Sequence, residues 1–424
     1  MTQRYDTYKE SGVQWLGEIP GHWGCIPFRR LASVKSNLVH PVDYMDYPQI
    51  APDSIEKNSG RILHWKTVAD SNVESDNHLF FKGQILYSKI RPLLNKVTIA
   101  PFDGLCSADM YPIETMQNTK FLLYYMLSNA FLESVTNATR DRVKMPKINR
   151  EELGSIDICV PPLSEQRAIV TYLDDKCGKI DNLVEGKQKQ INLLAEMKQR
   201  IIADAVTRGL NPNVKMKATN IPWLPEIPEH WEMKRLKYLV SCNDESLTNA
   251  EDPNLEINYV EIGDVTDIKG IAHTTKYRFE DAPSRARRKT RKNDVIVSTV
   301  RTYLKAIAKI PENGIIVSTG FAVLRAIDVN SSYLAFCCMS NSFINSVVAL
   351  SKGISYPAIT ASELLNLYIP LPPFTEQRAI VTYLDDKCSK IDLLVEKLKA
   401  EIEAIKEYKQ RLISDVVTGQ IKVC

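Results

Sequence analysis

The side chains able to do chemistry are few. Asp264 stands three residues before Asp267-Ile268-Lys269, and carboxylates beside a lysine can hold Mg²⁺ and a water. The same run is an ordinary hairpin turn before a β-rich segment, and the first half of the chain has no matching trio. Histidines at 22, 40, 64, 78, 230 and 273 include no H-x-x-x-H or H-E-x-x-H spacing for zinc. There is no G-x-x-x-x-G-K-[ST] or G-x-G-x-x-G phosphate loop, and no Asn-Pro-Pro-Tyr or Asp-Pro-Pro-Tyr stretch to hold an adenine. Nine cysteines (25, 106, 159, 177, 242, 337, 338, 388, 424) lack paired C-x-x-C spacing, so reduced thiols are expected. No catalytic residue and no metal ligand is assigned.

Positive charge is more informative. From Lys276 to Lys309 there are 11 basic residues against 3 acidic ones. They include Arg285, Arg287, Arg288, Lys289, Arg291 and Lys292, with Arg301 and Lys305 following. In the first half Lys82, Lys89, Arg91 and Lys96 fall in a window, 79–102, without an acid. Arg140, Arg142, Lys144, Lys147 and Arg150 form a second cluster. Closely spaced Arg and Lys clamp phosphates, and single Arg side chains read guanine O6 and N7 bidentately. A charge run is as often a solvated face. Clusters in both halves favour nucleic acid, with Lys89, Arg91, Arg140, Arg142, Lys144, the Arg285–Lys292 run, Arg301 and Lys305 as candidate DNA contacts.

The elements that must carry these clusters are duplicated. PPLSEQRAIVTYLDDKCGKIDNLVE begins at Pro161 and PPFTEQRAIVTYLDDKCSKIDLLVE at Pro372, and about 30 of the 47 positions from 161 to 207 match their partners. WLGEIPGHW ending at Trp23 is echoed by WLPEIPEHW ending at Trp231. His22 and His230 are therefore equivalent, and a packed, hydrogen-bonded His at a domain junction is expected. Between these markers Ser88-Lys89-Ile90-Arg91 answers Ser298-Thr299-Val300-Arg301, and Met145-Pro146-Lys147-Ile148 answers Tyr356-Pro357-Ala358-Ile359.

Each constant block predicts one long helix. Ser164 and Thr375 are N-cap candidates behind a Pro-Pro stop, with Glu165 and Glu376 in the first turn. A seam with alternating steps of four and three runs through 180, 184, 187, 191, 194, 198, 201 and 205, and through 391, 395, 398, 402, 405, 409, 412 and 416. At ~1.5 Å per residue, ~40 residues span on the order of 60 Å. Two such helices bury their seams most simply by packing on each other. Lys198 and Lys409 hold equivalent seam positions and either set register or snorkel to water. In the variable blocks, QILYSKIR, KVTIA, VIVSTVR, GIIVS and FAVLRAI read as short strands, and FLLYYMLSNAFLESV and YLAFCCMSNSFINSVV as one apolar helix each.

The predicted fold class is α+β, with two α+β heads separated by two long helices in an antiparallel coiled coil, as a pseudo-two-fold internal repeat. The expected segments are 1–160 (head), 161–210 (helix), 211–371 (head) and 372–424 (helix). Length, 424 residues, and composition, 44% hydrophobic and 25% charged, are those of an ordinary soluble globular chain. A net charge of +3 excludes a polycation. The first ten residues show no signal-peptide core and no window approaches ~18 apolar residues, so a cytoplasmic chain without a membrane span is expected.

PPLSEQRAIVTYLD and PPFTEQRAIVTYLD, the paired EIP-x-HW openings and ILYSKIRPLLNKV together resemble the specificity subunits of type I restriction–modification enzymes, over essentially the whole chain. The resemblance implies two target recognition domains, each reading half of a split site in double-stranded DNA. The helices would set the spacer and dock two methyltransferase subunits, with two restriction subunits added in some assemblies. S-adenosylmethionine, ATP and Mg²⁺ would sit on those partners, and this chain would be non-catalytic. Glu165-Gln166-Arg167 and Glu376-Gln377-Arg378 match the helix-start motif, implying a partner and scaffold surface. Ser88-Lys89-Ile90-Arg91-Pro92 matches a motif close to DNA, retained in the second half only as Ser298 and Arg301, which favours Arg91 and Arg301. A stand-alone nuclease and a coiled-coil protein adaptor are the rival readings.

Overall fold

In the computed structural model, which describes residues 4–13, 15–142, 146–221, 223–266, 270–353 and 357–423, the chain divides into two compact units. Unit 1 comprises 1–187 and 399–424, and unit 2 comprises 188–398. The divisions fall inside the long helices Leu163–Arg208 and Phe374–Val417, so each unit holds the start of one and the end of the other. Both helices begin one residue before the expected caps. Ser164 and Thr375 therefore lie in the first turn.

Within unit 1 the helical segments run antiparallel, because Asp181 pairs with Lys409 while Lys187, further along, pairs with Glu401. Every seam position from 180 to 205 and from 391 to 416 is buried or half-buried. Both seam lysines are paired across the coil. Lys198 Nζ donates to the two Asp392 oxygens at 2.7 and 2.8 Å, and Lys409 Nζ to those of Asp181 at the same distances. Asp181 and Asp392 are themselves repeat-equivalent, so each unit contains one copy of the same lock. Lys187–Glu401, at 2.6 Å, has no counterpart because Leu398 and Gln190 hold the equivalent places.

The two heads share a topology despite their divergence. Unit 1 has a four-stranded antiparallel sheet in the order Val97–Ile99, Ile85–Ser88, Met110–Thr115, Ala32–Val34. Unit 2 repeats it as Ile307–Lys309, Val295–Ser298, Phe321–Ala326, Val240–Cys242. A second sheet in each unit contains one parallel pair, Gly104–Cys106 with Pro48–Ile50 and Ile315–Ser318 with Glu256–Val260. Continuous apolar runs such as Ile85-Leu86-Tyr87 are buried on both faces of the sheet. A two-stranded pair closes each head, Gly24–Pro27 with Asp157–Val160 and Glu232–Arg235 with Tyr368–Leu371.

Two expectations are corrected. Each single apolar helix is two, Thr119–Leu127 with Asn129–Ala138 and Ser331–Met339 with Asn341–Leu350. The break is made by Ser128 and Ser340, which end one helix and cap the next: each Oγ donates to the carbonyl three residues back and accepts from the N–H of Phe131 or Phe343. The thiols are not all reduced either. Cys25 and Cys159 are direct partners in the closing strand pair, Cα atoms 3.9 Å apart, and form a disulfide. Their separation of 134 residues hid this pairing, which strand register alone creates.

The helix starts lock onto the EIP-x-HW segments. Glu165 accepts from Trp23 Nε1 at 3.2 Å, from the Tyr5 hydroxyl, and lies 2.8 Å from His22 Nε2. Glu376 accepts from Trp231 Nε1 at 3.1 Å and lies 2.8 Å from His230 Nε2. Both histidines are thus hydrogen-bonded junction residues. Where the opposing helix ends, Gly209 and Gly419 take left-handed backbone, and a Cβ on Gly419 would lie 2.3 Å from Pro20.

Candidate nucleic-acid interface

Several of the basic residues chosen from sequence are tied to neighbours, and several are exposed. Lys89 is tied: its Nζ donates to the Ala108 carbonyl at 2.7 Å, lies 3.9 Å from Asp109 and sits 5.6 Å from the Tyr111 ring centre. Arg142 is tied as well, its guanidinium forked onto Glu152 and bonded to the Lys147 carbonyl. Arg91 and Arg140 are exposed. Lys144 lies outside the described residues.

In unit 2 the run 285–292 does not form one continuous patch. Ala286–Lys289 is an edge strand with a bulge between Ala286 and Arg288, and neighbouring side chains diverge across the sheet. Arg287 stacks 4.8 Å over Phe279, Arg288 donates to Ser246, and Lys289 pairs with Glu251 at 3.3 Å. Arg291 pairs with Glu245, which Arg325 also engages at 3.1 Å. Hydrogen bonding to Arg325, then burial offset by the Arg291 charge, leaves the Glu245 carboxyl below its ordinary range. Arg285, Lys292, Arg301 and Lys305 are exposed.

Sequence reasoning missed the exposed large apolar side chains. In unit 1 Met45, Tyr47, Leu63, Trp65 and Phe81 are exposed, with Trp65 packed edge-on to Phe102 at 5.4 Å. The available signal was the interleaving of aromatic and basic residues in Trp65-Lys66 and Phe81-Lys82. Such faces supply stacking and thymine-methyl contacts, where arginine clusters supply charge. Unit 2 exposes large apolar side chains as well, among them Tyr238, Tyr303 and Leu304.

The helix-start motif is mostly internal. Glu165, Gln166 and Gln377 are buried, and Gln166 Oε1 accepts from the Asn118 N–H while its Nε2 donates to the Pro161 carbonyl. Gln377 repeats this with Asn330 and Pro372. Only Arg167 and Arg378 of the six are exposed. The matching glutamines therefore anchor head to helix, while Arg378 stacks 5.0 Å over the Phe374 ring.

Asp264 accepts from the Glu261 N–H and caps its own turn, and Asp267 and Lys269 lie outside the described residues. Among the described residues no group of three or more His, Cys, Asp or Glu is placed to hold a metal, and no single helix is long and apolar enough to cross a membrane.

The family profile of the type I restriction modification DNA specificity domain matches twice, at residues 33–193 and 228–404. The chain belongs to that family. The specificity subunit of the type I restriction enzyme EcoDI of Escherichia coli is 40% identical over 190 residues, 45% of this chain and 43% of that protein. This first alignment therefore spans less than half of its relative. The MjaVIII specificity subunit of Methanocaldococcus jannaschii is 27% identical over 76% of this chain and 75% of its own length. A solved chain, described in work on complex assembly and conformational transition of the type I R-M system, matches with a TM-score of 0.68 at 19% identity, covering 95% of this chain and 99% of that one. The duplicated specificity domain thus has the fold that the repeat predicted.

Proposed function

We propose that this chain is the sequence-specific DNA-recognition subunit of a type I restriction–modification complex, itself without catalytic activity. Each unit reads one half of a bipartite target in double-stranded DNA. The observation that carries this reading is the doubled specificity domain, one topology repeated in two units whose sequences between the constant blocks have diverged. A shared scaffold with diverged sequence is what two unlike half-sites at fixed spacing require.

Two methyltransferase subunits dock on the long helices, with two restriction subunits added where the system carries them. The outward positions Leu183 and Leu394, and Met197 and Tyr408, support this: they are repeat-equivalent large apolar side chains, 51%, 44%, 54% and 59% exposed, on helices whose seams are already filled. Arg167 and Arg378 extend the same equivalence. S-adenosylmethionine, ATP and Mg²⁺ belong to those partners, and the complex works in the cytoplasm.

The test compares adenine methylation across the host genome with the gene intact and deleted. Loss of one split motif with a fixed spacer is expected. An unchanged methylome, together with failure to co-purify an adenine methyltransferase, refutes the reading and favours a protein adaptor.

A further inference from the structure

Each unit packs its head against both long helices, and in unit 2 this junction encloses a cavity of about 320 Å³. Ile202 and Cys388 line it from the two helices, and Phe336, Met339 and Ile344 from the head. An apolar, preformed space of this size at a junction of elements is the ordinary form of a small-molecule site.

The repeat shows which polar groups this copy lacks. Helices Thr119–Leu127 and Ser331–Met339 follow equivalent asparagine caps, so Tyr124 answers Phe336, Lys120 answers Ser332 and Leu123 answers the smaller Ala335. In unit 1 Asp174 accepts from the Tyr124 hydroxyl at 2.8 Å and from Lys120 Nζ at 2.6 Å. Asp385, its equivalent on the cavity wall of unit 2, has neither donor: phenylalanine lacks the hydroxyl, and the short Ser332 is held by Lys309 at 2.8 Å. In unit 1 Gln410 Nε2 also donates to the Leu127 carbonyl. Its equivalent Gln199, again on the cavity wall, has a buried Oε1 with no hydrogen-bond partner among the described residues. A buried acceptor without a donor carries its full desolvation cost.

The two acceptors stand apart. Lys198, next to Gln199, pairs with Asp392, and Asp385 lies one heptad before Asp392, which places it about 10 Å further along the helix. Lys198 and Asp392 also line the cavity but satisfy each other, leaving Asp385 and Lys305 as its other charged groups.

We propose that this cavity binds a small aromatic amine with a hydrogen-bond donor at each end, either the free amine or the parent amino acid. The ammonium donates to Asp385, as the Lys120 ammonium does to Asp174 in the other copy. A phenol hydroxyl or indole N–H at the far end donates to Gln199 Oε1, and the ring packs against Phe336, Met339 and Ile344. Lys305 is the partner for a carboxylate where the ligand is the amino acid. The site is independent of DNA recognition, and its occupant ties the head of unit 2 to the helices beneath it.

The experiment titrates the full chain calorimetrically with tyramine, phenethylamine, L-tyrosine and 3-(4-hydroxyphenyl)propionate. Tyramine should saturate one site, and the propionate, which has no ammonium, should not bind. Gln199→Leu should weaken tyramine about tenfold, the loss of one buried hydrogen bond, yet leave phenethylamine, which has no distal donor, unchanged. Its Tm without ligand should hold or rise, because leucine removes the orphan acceptor. Phe336→Tyr copies the hydroxyl that unit 1 places on its aspartate and should weaken both amines about tenfold. L-Tyrosine binding more tightly than tyramine supports the amino acid, and weaker binding supports the amine. The proposal is overturned by the absence of saturable binding of tyramine and L-tyrosine below about 1 mM. It is overturned equally if Gln199→Leu weakens both amines alike, if Phe336→Tyr changes neither, or if the propionate binds as well as tyramine.

Discussion

Removing Asp392 and removing Lys198 should have unequal consequences, although both break the same ion pair. Lys198 is the more buried partner, its side chain 15% exposed against 28% for Asp392, and it occupies the coiled-coil seam. Asp392→Ala leaves an ammonium there without the carboxylate that accepts two of its hydrogen bonds at 2.7 and 2.8 Å. Charge-assisted hydrogen bonds of this kind contribute about 1.5–3 kcal/mol, and partial exposure keeps the loss below the 3–5 kcal/mol of a fully buried pair, so about 2 kcal/mol is expected. With a urea m-value of about 2 kcal/mol/M, the transition of unit 2 shifts down by about 1 M. Lys198→Met instead fills the seam with an apolar chain of similar length and lets Asp392 hydrate, changing stability by less than about 1 kcal/mol. The double variant should resemble Lys198→Met alone. Urea titrations followed by helical circular dichroism measure all four proteins. Equal losses for the two single variants, or a loss under about 0.5 kcal/mol for Asp392→Ala, would refute the reasoning and mean the lysine already snorkels to water. Asp181→Ala is the matching perturbation in unit 1, smaller because Asp181 is 44% exposed.

Further outcomes follow from the same physics. Gln166→Ala orphans the Asn118 N–H at the start of a buried helix and should cost about 1–3 kcal/mol, measured as a fall in Tm, whereas Gln166→Glu retains the acceptor and should lose less. Glu363, bonded to the Thr360 N–H and hydroxyl and to Lys352, is held at a pKa of about 2 against an ordinary 4.5. Its folded value is depressed, so its contribution is complete above about 4.5 and lost as pH falls toward 2; the Tm difference between wild type and Glu363→Gln should shrink across that window. Peptide mapping of unreduced protein should recover Cys25 linked to Cys159, and two freely alkylated thiols would contradict the pairing. Exchanging residues 24–160 for those of another family member should change one half-site of the methylated motif and leave the other as it was, a division that sequencing of the methylome checks directly.

The sequence by itself determined the plan: two copies, two long helices, and a coil seam whose period alone located residues 180–205 and 391–416 at the contact. Periodicity is a local property, so it is legible without coordinates. Strand identity in runs such as VIVS and IIVS was legible for the same reason. Pairing is not local, and there the tertiary structure decided. Cys25 meets Cys159 only because two strands far apart in sequence align in one register. Arg142 and Arg91 are both basic residues of the first head, yet Glu152 takes up one and the turn geometry presents the other. Charge patterning counts positive groups but not their partners, and a carboxylate brought within 4 Å changes what an arginine is free to hold. Glu165 and Gln166 show the reverse case. Their repetition marked them as important, but only the packing of Trp23 and Asn118 against the helix start shows that they face inward.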